Sequence, residues 1–224
     1  MLDGVATQEE RSEATRGKLL AVARKLFRSR GYERTFIEDI AARAGVTKGA
    51  FYHHFPDKKA IFLAVFHETE QALMEASAAG ARGPDAWSQF RAGCRAFLEA
   101  SMDPGVQRII LRDGPVVLGW EAWREIDARY SLGLIEGGLQ QAMAEGRVSG
   151  SLKPLAHLLF GALCEGAMMV SRAAKPRAAL AEVMGQVDVL LAAIETQGRR
   201  TPLGVSVARE SRPGALKAPR APRG

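Results

Sequence analysis

Residues 31–58, GYERTFIEDIAARAGVTKGAFYHHFPDK, constrain this chain more than any other stretch. Two short runs of helical spacing meet across Ala44-Gly45-Val46, which leaves room only for a sharp turn. Two helices joined steeply by a Gly-containing turn form a helix-turn-helix, whose second helix is free to enter the major groove of a DNA duplex. The flanks agree with this layout. Leu19, Val22, Ala23, Leu26 and Phe27 recur at three and four, which marks one buried face of a helix over 12–30, and Gly31 suits its C-terminus. Thr35 and Glu38 fit a capping box, which predicts a second helix from Phe36 that buries Ile37, Ile40, Ala41 and Ala44. Thr47 is placed to cap a third helix with Ala50, Phe51 and Phe55 inward. Pro56 and Asp57 end it and start a fourth, whose apolar side is Ile61, Phe62, Val65, Phe66 and Leu73.

Beyond a break at 80–84 the chain reads as further helices at about 85–101, 104–112, 115–130, 131–145, 154–174 and 176–196. Asp103-Pro104, Gly114-Pro115, Lys153-Pro154 and Lys175-Pro176 place proline at first turns, where the missing N–H costs little. Aromatic residues make up only 7% and no run of Val, Ile or Thr alternates with polar residues, so strands have little support. The expected fold is all-α, with about nine to ten helices. A three-helix helix-turn-helix domain over 12–66 would precede a larger helical domain over 67–196. From 197 to 224 Arg, Pro, Gly, Ala and Lys dominate, which predicts a basic disordered tail.

The net charge of +6 points to a nucleic-acid partner only until it is divided along the chain. Residues 1–56 carry net +3, residues 57–196 net −3 and residues 197–224 net +6. The basicity belongs mostly to the tail, so the argument for DNA rests on the motif. Cys94 and Cys164 stand far apart inside apolar helical patterns and give neither a disulfide framework nor zinc spacing. The polar N-terminus has no apolar core segment, and uninterrupted apolar stretches are short, so the expected location is the cytoplasm, away from membrane.

A helix inserted in a groove needs small or hydrogen-bonding residues at its N-terminal end and phosphate anchors around it. Thr47, Lys48 and Gly49 stand at that tip: Gly49 permits close approach, and Lys48 can reach a guanine edge or a phosphate. Tyr52 and His53 follow one turn on, while Thr35 and Lys58 flank the motif as backbone clamps. Tyr52 and His54 also fit a packing role, for His54 the better fit beside Phe55. A metal at His53 and His54 is rejected, because adjacent helical residues point about 100° apart and no third ligand follows at useful spacing. No catalytic constellation stands out. His67-Glu68 lacks a second histidine, Cys94 has no activating context, and Asp127 with Glu125 reads as a solvated face, so neither an enzyme nor a cofactor is expected.

By the ordered set of Gly-aromatic, capped helix, Ile-Ala, Ala-Gly-Val, Thr-Lys-Gly, Tyr-His-His-Phe and Lys58, the chain resembles the TetR family of transcriptional regulators over about residues 12–66. The stretch DPGVQRIILRDGPVVLGWEAWREIDARY also looks like a TetR-type C-terminal domain. The resemblance implies DNA contacts from Thr35, Thr47, Lys48, Tyr52, His53 and Lys58. One departure is Phe36, where the family often has a second small hydroxyl residue; Arg34 is placed to compensate with its charge.

A domain that senses a small molecule needs an apolar cavity with few polar handles. Phe90, Cys94 and Phe97 share one helix face, and Trp120 and Trp123 sit together on another helix, so these five are the candidate ligand-binding residues; core filling is the rival reading for each. Leu155, Leu159, Ala162, Gly166 and Met169 on one helix, with Leu180, Val183, Val187, Leu191 and Ile194 on the next, form the candidate homodimer seam within about 154–196. The expected activity is a repressor that binds a palindromic operator as a homodimer and is released by an apolar effector. The alternative is a TetR-like interaction protein acting through a protein partner.

Overall fold

Thr7 opens the first helix through a reciprocal capping box: its Oγ1 accepts from the Glu10 N–H at 3.2 Å, and Glu10 Oε2 accepts from the Thr7 N–H at 2.7 Å. This computed structural model describes residues 7–199, with side chains through residue 195. Helix α1 (Gln8–Arg30) therefore starts a turn earlier than its apolar spacing predicts, because a cap and not a core residue sets the boundary. Gly31 ends it at φ +80.

The predicted capping box at Thr35 and Glu38 does not form. Helix α2 (Ile37–Ala44) begins after Phe36 with no side-chain cap, since the Thr35 hydroxyl instead donates back to the Gly31 carbonyl at 2.7 Å. Gly45, at φ +70, turns the chain into α3 (Lys48–His54), which Thr47 caps by accepting from the Ala50 N–H at 3.1 Å. Asp57 caps α4 (Lys58–Gly80) by accepting from the Ala60 N–H at 2.7 Å. Leu19, Phe27, Ile40, Phe51, Ile61 and Phe62 form the fully buried centre beneath these helices, and Phe27 meets Phe62 edge-on at 5.2 Å. At 23 residues α4 is about 35 Å long, so it leaves this centre and runs on into the rest of the molecule.

The second half comprises α5 (Ala86–Ala100), a π-helical segment over Val106–Asp113, α6 (Gly114–Leu118), α7 (Trp120–Ala144), α8 (Leu152–Arg172) and α9 (Pro176–Arg199). The described residues are helical with no strand, as expected. Two boundaries differ from the sequence reading. The stretch expected as helices at 115–130 and 131–145 breaks instead at Gly119, which holds φ +89, so that 115–118 belong to α6 and the rest is one continuous α7. The helix expected at 104–112 has wider turns, the Gly114 N–H donating to the Ile109 carbonyl five residues back. Packing accounts for it: Gly114 is wedged where an added Cβ would lie 2.8 Å from the Phe66 ring and 2.9 Å from Trp123, and the freed Ile110 carbonyl accepts from the Trp123 indole at 3.0 Å.

Helix α8 is long and apolar enough to cross a membrane by length and composition alone, but Lys153, His157 and Glu165 interrupt it and more than half of that window is buried within the fold, as in a core helix. Helix α9 extends to Arg199, slightly past its predicted end. The remainder of the basic tail, 200–224, lies outside the described residues.

Candidate nucleic-acid interface and internal cavity

The turn at Gly45 sets α3 across the end of α2, and packing then sorts its seven residues into two faces. Phe51 is fully buried and Phe55 nearly so, which anchors the helix, while Thr47, Lys48, Gly49, Tyr52 and His53 are all exposed. Tyr52 is 46% exposed and rests its ring edge-on against Phe51 at 5.6 Å, so it packs at its base and presents its hydroxyl end outward. Nothing lies within contact of Gly49 beyond Thr47 Oγ1 at 3.8 Å, so the backbone there is open to close approach. Lys48 Nζ pairs with Glu38 Oε1 at 2.5 Å. That bond raises the lysine pKa and lowers that of the glutamate, though both groups are in open solvent.

Two expected phosphate clamps are placed differently. Thr35 is fully buried with its hydroxyl on Gly31, so its side chain holds the loop and does not reach the surface. Lys58 is half-buried: its ammonium donates to the Tyr32 carbonyl at 3.0 Å and lies 4.1 Å from the Tyr32 ring centre. Phe36, the departure noted in the sequence, is instead 57% exposed, beside the exposed Arg34. His54 is half-buried beneath His53, their rings 5.2 Å apart and edge-on.

In the second half α4, α5, α7 and α8 line a partly open cavity of about 200 Å³. Phe90, Cys94 and Phe97 are among its lining residues, with Met74, Ser131, Ile135, Gly138, Phe160 and Cys164. The Phe90 ring closes so tightly on Gly138 that an added Cβ would lie 2.5 Å from it. Burial pushes the Cys94 thiol up to about 12, so it is a protonated, apolar wall residue.

Trp120 and Trp123 do not belong to this cavity. The α7 residues on the wall begin at Ser131, and Trp123 stands eight residues earlier, about 12 Å along the axis. Trp123 is core, its indole held by Ile110, and Trp120 is 56% exposed.

The sequence reading also missed a polar cluster. Asp127 is 4% exposed, against the expectation that it shares a solvated face with Glu125. Residues two apart on a helix point about 200° apart, and only Glu125 faces solvent. Asp127 accepts from Cys164 Sγ at 3.2 Å and from Ser131 Oγ at 3.5 Å, and Arg124 approaches to 3.7 Å. Glu70, fully buried on α4, has both carboxylate oxygens without a hydrogen-bond partner. Burial and the neighbouring Asp127 raise its pKa well above the usual range, and burial raises that of Asp127. A signal was present in the sequence: Glu70 falls on the same helical stripe as Phe66, Leu73 and Met74.

Comparison with known proteins bears on both halves. The description "Bacterial regulatory proteins, tetR family" matches residues 19–65, and "Tetracyclin repressor-like, C-terminal domain" matches residues 87–194. The crystal structure of a TetR-family transcriptional regulator from Pectobacterium atrosepticum superposes with a TM-score of 0.76 at 35% identity, covering 84% of this chain and 97% of that one. The chain belongs to the TetR family. It is a DNA-binding transcriptional regulator of that family, whose members bind DNA as dimers and often respond to small molecules. Among curated TetR-family relatives, the transposon Tn10 TetC protein of Escherichia coli is 28% identical over 144 residues, 63% of this chain and 72% of that protein. The regulator CymR of Pseudomonas putida is 42% identical over 73 residues, 33% of this chain and 36% of that protein.

Proposed function

We propose that this TetR-family protein is a repressor that binds an imperfect palindrome as a homodimer and leaves it when a small molecule fills the cavity between α4, α5, α7 and α8. The observation that carries the reading is the pairing of an exposed α3 tip with a largely apolar cavity in one chain, joined by the continuous α4. Lys48, Gly49, Tyr52 and His53 read the groove, and Thr47 fixes the helix that presents them. Thr35 and Lys58 act one step back, holding the loop that joins α1 to α2. The division into a DNA-binding part over 12–66 and an effector-binding part over 67–196 follows the same logic, and the site of action is the cytoplasm, where the DNA is.

The dimer seam is redrawn by burial. Leu159, Gly166, Val187 and Leu191, from the expected stripe, are buried within the chain. Leu158, Met169, Val189 and Leu190 remain exposed, and with Glu165, Gly185 and Ala193 they follow helical spacing along the outer faces of α8 and α9. Two such helices and their copies form a four-helix interface about a two-fold axis.

A second reading, regulation through a protein partner, draws on Val116 and Trp120, which stay 79% and 56% exposed on elements other than α8 and α9. The test of the first reading is a gel-shift titration of purified protein against DNA from upstream of its own coding sequence, with varied salt. A sequence-selective complex whose affinity falls with salt is expected, and a complex indifferent to sequence would sink the operator reading.

A further inference from the structure

The cavity has one wall that apolar packing does not explain. Ser131 and Cys164, both on its lining, each donate to the same buried carboxylate, Asp127, immediately behind them. Met74, also on the lining, lies 3.6 Å from the Ser131 hydroxyl as the alternative acceptor for its one proton, and one turn before it on α4 stands Glu70. Glu70 is fully buried, both of its oxygens lack any donor, and it lies near enough to Asp127 for their charges to repel. A buried polar group without a partner is costly, and an ionised one far more so, so an unsatisfied carboxylate beside a cavity marks the place where a donor is missing.

The charges that face this wall define the donor. Arg124, 3.7 Å from Asp127, lies over the Phe160 ring at 4.0 Å and compensates one carboxylate of the two. His67, on the same face of α4, bonds Tyr130 at 2.9 Å, and burial together with Arg129 lowers its pKa, so it adds no positive charge near neutrality. Nothing compensates Glu70, so burial beside Asp127 keeps its proton in place until a cation arrives to replace it. The rest of the lining is mostly aromatic or aliphatic, with Phe90, Phe97, Ile135 and Phe160, and its other polar side chains, Ser77, Gln89 and Gln141, are uncharged. The volume of about 200 Å³ suits one ring with a short chain, given that an apolar cavity of about 150 Å³ accommodates benzene.

We infer that the effector of this protein is a small aralkyl monocation, an aromatic ring joined by a short chain to a protonated amine, whose N–H groups reach Asp127 and Glu70 past Ser131 and Cys164. The inference rests on the effector-released reading above and deepens it. The ring stacks among Phe90, Phe97 and Phe160 while the ammonium supplies the donor that Glu70 lacks. A carboxylic acid of the same shape would bring another negative charge beside Asp127 and no cation, and is excluded; a neutral alcohol would bring one donor and no charge.

The test uses the full chain and three probes that share one skeleton: phenylbutylamine, phenylbutanol and phenylbutyric acid. Calorimetric titration without DNA reads binding apart from operator release, so a failure here is distinct from a failure of the gel-shift experiment. Phenylbutylamine is expected to bind at least about tenfold more tightly than phenylbutanol, with phenylbutyric acid weakest. Glu70→Gln and Asp127→Asn should each cost the amine about tenfold or more while leaving the alcohol within about twofold, a split that general loosening of the cavity would not give. Thermal melts establish that each variant is folded, and the probe ranking in the wild-type chain tests the inference even where a variant is not. Equal binding of the three, a preference for the acid, no binding of the amine, or unchanged amine affinity in folded Glu70→Gln would each overturn it.

Discussion

The backbone N–H of Tyr32 donates to Asp113 Oδ2 across 2.8 Å and joins the end of α1 to the end of the π-helical segment, 81 residues away. Beside it Arg28 forks onto Asp103 with bonds of 3.1 and 2.9 Å, and Gly31 lies close against Arg108 and Asp113. Together with α4 these ties fix the α3 support relative to the helices around the cavity. Asp113→Ala removes the acceptor from a half-buried N–H, a loss of roughly 1–3 kcal/mol. A lower thermal midpoint and faster hydrogen exchange at the Tyr32 amide are expected, and unchanged exchange there would show that the bond is not a tie in solution.

Lys48 and Glu38 make opposite contributions to DNA binding although they are partners. Both are in open solvent, so their ion pair adds little to folding, and Lys48 can exchange Glu38 for a phosphate. Lys48→Ala should weaken operator binding about tenfold and reduce the salt slope by about one. Glu38→Gln should act in the other direction, since it removes a negative charge from the approach surface and frees the lysine. Gel shifts at several salt concentrations decide both signs, and thermal midpoints should stay where they are.

Gly114 is constrained by packing and not by its backbone, which is ordinary helical geometry. A methyl there meets Phe66 and Trp123 below 3.0 Å and the Ile109 carbonyl at 3.1 Å, and both rings are fixed in the core. Gly114→Ala is expected to destabilise by roughly 1–3 kcal/mol, measured by denaturant unfolding. If stability were unchanged, the rings would have to be freer than the packing indicates.

The contrast between helix-turn-helix and helical body explains how much was legible in the sequence. Residues 37–58 are governed by local chemistry, a left-handed Gly45, a Thr47 cap and an Asp57 cap, so the positions of Lys48, Gly49 and Tyr52 could be read directly. The cavity depends on which faces of four helices meet, and periodicity does not fix helix pairing. Trp120 and Trp123 have the composition of a pocket, but the register of α7 sends Trp123 to the core and Trp120 to solvent. Glu70 and Asp127 were hidden for a related reason: a carboxylate is ordinarily assigned to the surface, and its place on an apolar stripe carries meaning only once the partner helices are known. Thr35 went astray because a threonine three residues before a glutamate fits a cap, while the close Gly31 carbonyl competed for the same hydroxyl.

Stability should fall with rising pH because of Glu70. Its folded pKa is raised by burial and by Asp127, so the native state holds a proton more tightly than the unfolded chain does. The associated stability is fully present below the ordinary glutamate range and is lost as pH rises through the raised folded value, at up to about 1.4 kcal/mol per pH unit for one proton. Glu70→Gln removes that proton linkage. Denaturant midpoints across the pH range should therefore decline less steeply in Glu70→Gln than in the wild type, and parallel profiles would show that Glu70 titrates normally.

The outer stripe on α8 and α9 leads to a prediction about assembly. Leu158 is 72% exposed, Met169 56%, Val189 62% and Leu190 50%, an apolar concentration costly to leave in water and free of a role inside the chain. Buried against its copy, the stripe would give the core of an interface, with Glu165 and Glu182 at its edges. Met169→Glu combined with Leu190→Glu places like charges at that core and should leave a folded monomer, since neither side chain is needed by the chain's own packing. Sedimentation velocity reads the mass and circular dichroism reads the fold. Because two recognition helices set about one DNA turn apart bind far more tightly than one, the monomer should also lose affinity for a full palindrome while keeping its weaker affinity for a half-site. A double variant that stays dimeric would move the seam away from α8 and α9, and the exposed Val116 and Trp120 would then be the next surface to test.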